Sequence, residues 1–114
     1  MKVTASAAML GAMLLGSGAA QAAFLSGSQL YDLCRKKESM EQAGCMGYID
    51  GVVDAFLSWR TQVNLPGCLP AGVTGVQLRD RVVQWLDKNP QARGDTADNL
   101  VRDALFDAWP ACAR

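Results

Sequence analysis

Apolar residues recur at helical spacing in four stretches of this chain, and no stretch alternates apolar and polar positions long enough to suggest a strand. The longest run is Cys45 to Trp59. Cys45, Ile49, Val52, Phe56 and Trp59 are spaced by three and four, so they share one helical stripe. Val53 and Leu57 widen that stripe, and Asp50, Asp54 and Ser58 fall on a narrow opposite strip. A helix this apolar is expected at the centre of the fold, with other helices around it. Gly47 and Gly51 each cost it about 1 kcal/mol relative to Ala. Close approach by a neighbouring helix is the expected compensation. The helix should run from Met40 or Gly44 to Gln62 and stop before Asn64-Leu65-Pro66-Gly67.

Three further helices are predicted around it. The first begins at Ser26 or Ser28, where Ser26 with Gln29 fits a capping box, and its stripe is Leu30, Leu33 and Cys34. Arg35, Lys36 and Lys37 lie near its far end, where cations suit the helix dipole. Glu38 to Gly44 reads as a polar turn with a helical start to the next element. The third helix is capped by Thr74 with Gln77, Val73 can staple to Leu78, and Leu78, Val82, Trp85 and Leu86 face inward. Asn89-Pro90 stops it. The fourth is capped by Asp95 or Thr96 and carries Leu100, Val101, Ala104, Leu105 and Ala108 on its apolar face. Trp109-Pro110 ends it. The fold class is therefore all-α, a small four-helix domain with short loops.

The first residues read differently. Lys2 precedes an apolar run from about Val3 to Leu15, and Ala20-Gln21-Ala22 fits the small-x-small pattern of a secretory signal peptide. The run falls short of the roughly 20 apolar residues that span a bilayer. Residues 1–22 are thus expected to be a leader cleaved after Ala22, leaving no stable membrane anchor. The residue immediately after the cleavage site is Ala23, not Cys, which argues against a lipoprotein. The single domain, 23–114, would hold 92 residues (114 less 22). Without Lys2 it carries 10 basic and 11 acidic residues, a net charge of −1. No basic patch stands out, so nucleic acid is not an expected partner.

All four cysteines, Cys34, Cys45, Cys68 and Cys112, lie beyond the leader. An even count in a short exported chain reads as two disulfides. Three pairings are possible. Cys34 and Cys45 on one unbroken helix would stand about 16 Å apart, whereas a disulfide needs Cα atoms within about 7 Å. A bond between them therefore requires the chain to fold back. The sequential pairing, Cys34–Cys45 with Cys68–Cys112, is favoured, and chain entropy assigns it about 3 and about 4 kcal/mol.

Candidate chemistry is sparse. The chain has no His, the commonest general base and metal ligand. No C-x-x-C occurs, and no glycine-rich phosphate loop. No cofactor is expected. Asp50 and Asp54 stand at i and i+4 and face the same way. Paired carboxylates can do acid–base work, but the plainer reading is a solvated strip on a buried helix. Trp59, Trp85 and Trp109 near three helix ends are core by default, and interface anchors where exposed. The connection from Lys88 to Asp95 is polar and has no cysteine. Pro90, Gln91 and Arg93 are its candidate partner-binding residues, with Asp50 and Asp54 as a second surface. The expectation is that Arg93→Glu weakens partner binding and leaves stability nearly unchanged.

The order of landmarks resembles the Rap/Tai family of periplasmic immunity proteins of type VI secretion systems. The matching features are Cys34, then Cys45-Met46-Gly47-Tyr48-Ile49-Asp50-Gly51, then Cys68-Leu69-Pro70 followed by Gly72-Val73-Thr74 and Gln77, and last Trp109-Pro110 before Cys112. The resemblance implies a helical, disulfide-bonded periplasmic protein, often a homodimer, that binds and blocks a cognate peptidoglycan amidase effector without being an enzyme. The matched residues are scaffold, so no inhibitory residue is carried over. The competing reading is a small periplasmic chaperone or accessory binding module, switched on as its carboxylates protonate in acid. A hydrolase using Asp50 and Asp54 is the third.

Overall fold

The computed structural model describes residues 24–114. The leader and its expected cleavage after Ala22 lie outside the described residues. Four helices carry the fold: α1 (Gly27–Arg35), α2 (Ser39–Gln62), α3 (Gly75–Lys88) and α4 (Ala97–Ala108). Pro90–Ala92 and Pro110–Ala113 each form a short 3-10 segment. No strand occurs among the described residues. One isolated antiparallel bridge pairs Ser26 with Thr96.

The start signals act as read. Ser26 Oγ accepts from Gln29 N at 3.2 Å while Gln29 Oε1 accepts from Ser26 N at 2.9 Å. Thr74 and Gln77 repeat the same reciprocal pair at 3.2 and 2.9 Å. Each box satisfies two N–H groups that a helix start leaves without partners. Thr96 is the cap of α4, and Asp95 Oδ1 accepts from its backbone N at 2.7 Å.

Of the two starts offered for the second helix, Met40 lies one residue from the observed one and Gly44 is too late. Glu38 to Gly44 is not a turn; helix begins at Ser39, and the chain reverses over Lys36 to Glu38 alone. Gln42 explains the tight reversal: its Nε2 donates to Cys34 O at 2.8 Å and also to Lys36 O, closing the end of α1. That reversal brings the Cα atoms of Cys34 and Cys45 to 5.0 Å, and the disulfide forms. Cys68–Cys112 is the other, with Cα atoms 4.9 Å apart. Both pairings are the sequential ones.

The end of α2 is also built from local chemistry. Asn64 takes φ 60°, a left-handed conformation that Asn tolerates. Leu65 N then donates to Arg60 O at 2.9 Å and Asn64 N to Thr61 O at 3.1 Å, the Schellman pattern of a helix C-terminus. Pro66 follows and prevents continuation.

The core is Leu30, Cys34, Cys45, Ile49, Val53, Leu78, Val82, Leu86, Leu100, Val101, Ala104 and Leu105, drawn from all four helices. The inward stripes of α3 and α4 are those the periodicity indicated, with Trp85 and Ala108 only part-buried. Gly27 is required where α1 meets the start of α4: an added Cβ would lie 2.2 Å from Leu100 Cδ1 and 2.9 Å from Arg93 O.

Candidate functional site

The apolar stripe of α2 divides. Its first half, Cys45 and Ile49, is fully buried. Past Ile49 the core takes Val53 and Arg60, and the stripe residues Val52, Phe56 and Trp59 turn outward along a second face. That face and one side of α4 form a groove of about 540 Å³, lined by Val52, Ala55, Phe56, Trp59, Asp98, Arg102 and Phe106. Phe56 ties the two helices, with its ring centroid 5.6 Å from Phe106 and 6.2 Å from Trp59. Trp59 is 52% exposed and Val63, one turn on, 46%. Trp85 and Trp109 are part-buried against the core. Of the three tryptophans, Trp59 alone is exposed.

One ion pair stands on the α4 wall. Arg102 Nη1 lies 3.4 Å from Asp98 Oδ2, and Arg102 Nη2 donates to Asn99 Oδ1. The Thr96 hydroxyl, Arg102 and nearby backbone N–H groups hold the Asp98 carboxyl below its ordinary value, so it is ionised at neutral pH. Burial and then the Asp98 carboxylate push the neighbouring Tyr48 hydroxyl above its ordinary value of 10.0, so Tyr48 stays neutral. The groove therefore offers aromatic surface and one part-exposed ion pair.

Two corrections concern α2. Among the described residues, no heavy atom of another element lies within 4 Å of a Cβ added at Gly47 or Gly51. The expected close approach by a neighbouring helix is absent among them. The expected Asp50/Asp54 strip also does not hold as one surface. Asp50 is turned against the start of α3, where an added Cβ at Gly75 would lie 3.1 Å from its Oδ2. An anion there suits the positive end of the helix dipole. Asp50 Oδ1 is buried without a hydrogen-bond partner, while Asp54 is exposed. The two carboxylates do not converge.

The third correction concerns Arg93. Pro90 and Gln91 are exposed, but Arg93 folds inward. Its Nε donates to Leu86 O at 2.8 Å and its Nη2 to Asp87 O at 3.3 Å, both carbonyls at the end of α3. Its guanidinium stacks 3.9 Å from the centroid of Tyr31, and its own carbonyl accepts from Ser28 N at 2.9 Å. Tyr31 in turn donates to Asp87 Oδ1 at 2.7 Å. Arg93 joins α1 to the end of α3, so the premise of a freely exposed loop side chain does not hold.

Arg60 carried no sequence signal of its role. It is 3% exposed, the one buried charged residue among the described residues. It donates to Pro66 O at 2.9 Å, to Arg114 O at 2.8 Å and to Cys112 O at 3.2 Å. These carbonyls belong to the loop and C-terminal turn that Cys68–Cys112 also joins. The groove residues Asp98, Arg102 and Phe106 were likewise missed. Their i, i+4, i+8 spacing was the available hint, since it marks a second face on α4 beside the core face.

No group of three or more potential metal ligands occurs among the described residues, and no described helix is long and apolar enough to cross a membrane. A family model described as Rap1a immunity proteins matches residues 26–112, from the cap of α1 to the last cysteine. No curated protein and no solved structure matches the chain.

Proposed function

The chain belongs to the Rap1a immunity protein family, and from that membership we propose that it protects its cell by binding a peptidoglycan amidase effector of a type VI secretion system and covering the amidase active site. The observation that carries this reading is the family match over residues 26–112, which spans all four helices and both disulfides. The proposed site of action is the periplasm, reached through a leader removed after Ala22, an oxidising compartment in which disulfides persist. The proposed action is non-catalytic: the groove presents contact surface rather than reacting groups. Occlusion by a stapled helical scaffold needs little ordering on binding, which favours affinity. The exposed Pro90-Gln91 turn and Asp54 are secondary contact surfaces in this reading.

The experiment is growth of cells that direct the adjacent-gene effector to their own periplasm, with and without this protein. Survival that depends on it, together with inhibition of the purified amidase at equimolar ratio, is the expected result. Lysis regardless of its presence overturns the reading.

A further inference from the structure

We infer that Gln42 is a positioning residue for oxidation of the first cysteine pair: its amide, turned by Arg79, holds the end of α1 against α2, so that the Cys34 and Cys45 thiols stand within bonding range before the sulfurs join. The role is independent of the partner proposed above.

The reversal between α1 and α2 has little else to fix it. Glu38, the N-cap of α2, makes no side-chain cap bond, and Lys36, which closes α1, keeps an ordinary extended backbone. Lys36 N reaches Leu33 O only at 3.4 Å, long for a hydrogen bond. Gln42 Nε2 makes the only side-chain hydrogen bonds across the reversal among the described residues, to Cys34 O at 2.8 Å and to Lys36 O. Both carbonyls lie at the end of α1, where a helix leaves its acceptors unpaired. Gln42 and Cys45 are three residues apart, so they share one face of α2. Cys34 is gripped twice from that face, by its carbonyl and by its sulfur, and its Cα lies 5.0 Å from that of Cys45.

Arg79 decides which way the amide points. Its Nη1 donates to Gln42 Oε1 at 3.0 Å, while its Nε and Nη2 donate to Asp80 Oδ1 at 3.1 and 3.0 Å. A guanidinium has donors only, so it takes the amide oxygen and leaves the NH2 group for the two carbonyls. A residue of α3 thereby aims the donor that closes α1 on α2. Closure of the pair is thiol–disulfide exchange with a small disulfide oxidant. One thiolate attacks the oxidant, the second displaces the mixed disulfide, and the two electrons and two protons leave on the oxidant's two thiols. Whatever holds Cys34 beside Cys45 favours the second, intramolecular step. By linkage, the finished bond strengthens the Gln42 grip in return.

The test equilibrates the full chain, exported with its own leader and purified, in graded mixtures of glutathione and glutathione disulfide. Free thiols are then alkylated and each cysteine pair is quantified by mass spectrometry, so that Cys68–Cys112 serves as the internal reference. Gln42→Leu keeps the size and loses the donor; it should lower the equilibrium constant for closing Cys34–Cys45 by about tenfold. The constant for the distant Cys68–Cys112 should change by less than about twofold. Gln42→Glu should lower Cys34–Cys45 as much, because it still accepts from Arg79 but has no N–H for the carbonyls of α1. Arg79→Ala should give a smaller loss in the same pair, about threefold. Equal losses in both pairs overturn the inference, since Gln42 then supports only the fold as a whole. An unshifted Gln42→Leu also overturns it. So does a Gln42→Glu variant that closes as the wild type does, because the tie to α3 and not the grip on Cys34 is then what matters. Should Gln42→Leu fail to fold by circular dichroism, Gln42→Glu and Arg79→Ala decide by the same outcomes.

Discussion

Trp59 and Arg60 are neighbours on α2, and their environments are opposite to what their side chains suggest. The tryptophan lies half in solvent on the groove side, while the arginine is almost completely buried on the core side. On the core side, the loop after α2 and the C-terminal turn bring the carbonyls of Pro66, Cys112 and Arg114 together with no helix to satisfy them. A planar guanidinium meets several at once, which no apolar side chain can do. On the groove side the floor is already complete, because Phe56 and Phe106 close the gap between the helices. Trp59 has no further surface to bury against among the described residues. Burial here follows the groups a position faces, not the hydrophobicity of the residue that fills it.

The largest effect should come from the core side. Arg60→Met leaves three carbonyls short of a donor and should cost about 3 kcal/mol. In a domain of this size that lowers the melting temperature by roughly 15 °C, measurable by circular dichroism. Arg60→Lys should recover only part of the loss, since one ammonium cannot span all three acceptors. A melting temperature within a few degrees of wild type would mean that Cys68–Cys112 alone holds the C-terminus.

Arg93 extends the comparison to a second cation used internally. Arg93→Glu should cost about 2 kcal/mol through the lost bonds to Leu86 O and Asp87 O and the lost stacking on Tyr31. Urea unfolding reads it directly, and an unshifted midpoint would contradict the geometry.

On the groove side, Tyr48 gives a pH signature. Its folded pKa is raised above 10.0, so its contribution to stability is complete below that pH and is lost as pH rises through the folded value. Tyr48→Phe should therefore leave neutral stability nearly unchanged and flatten the loss of stability in alkali. Identical alkaline melting curves for the two proteins would show that the hydroxyl is not held in this environment.

The smallest effect on stability belongs to Trp59. Trp59→Ser should change unfolding free energy by no more than about 0.5 kcal/mol, the usual range for an exposed position. A loss as large as that of Arg60→Met would place Trp59 in the core and remove the groove.

Much of the scaffold was legible in the chain. The caps Ser26 and Thr74, the stops at Pro66, Pro90 and Pro110, and the α3 and α4 stripes are set by interactions within three or four residues. The cysteine pairing followed because both bonds join segments that short connections return to each other. Helix two was harder. Its apolar positions run nearly all the way round, so periodicity showed a buried helix without saying which residues the core would take. Val52, Phe56 and Trp59 formed a valid stripe with Cys45 and Ile49, yet the other helices cover only the first half of it.

What the sequence alone determined is local and additive: where most of the helices begin and end, and which faces of α3 and α4 are apolar. What only the tertiary structure decided is which side of α2 is covered, that Arg60 and Arg93 are internal fasteners, and that Asp50 and Asp54 part company. The physical reason is that these outcomes depend on carbonyls and helix ends brought together from positions such as Pro66 and Arg114, far apart in the chain. Their partners exist only after the helices have packed.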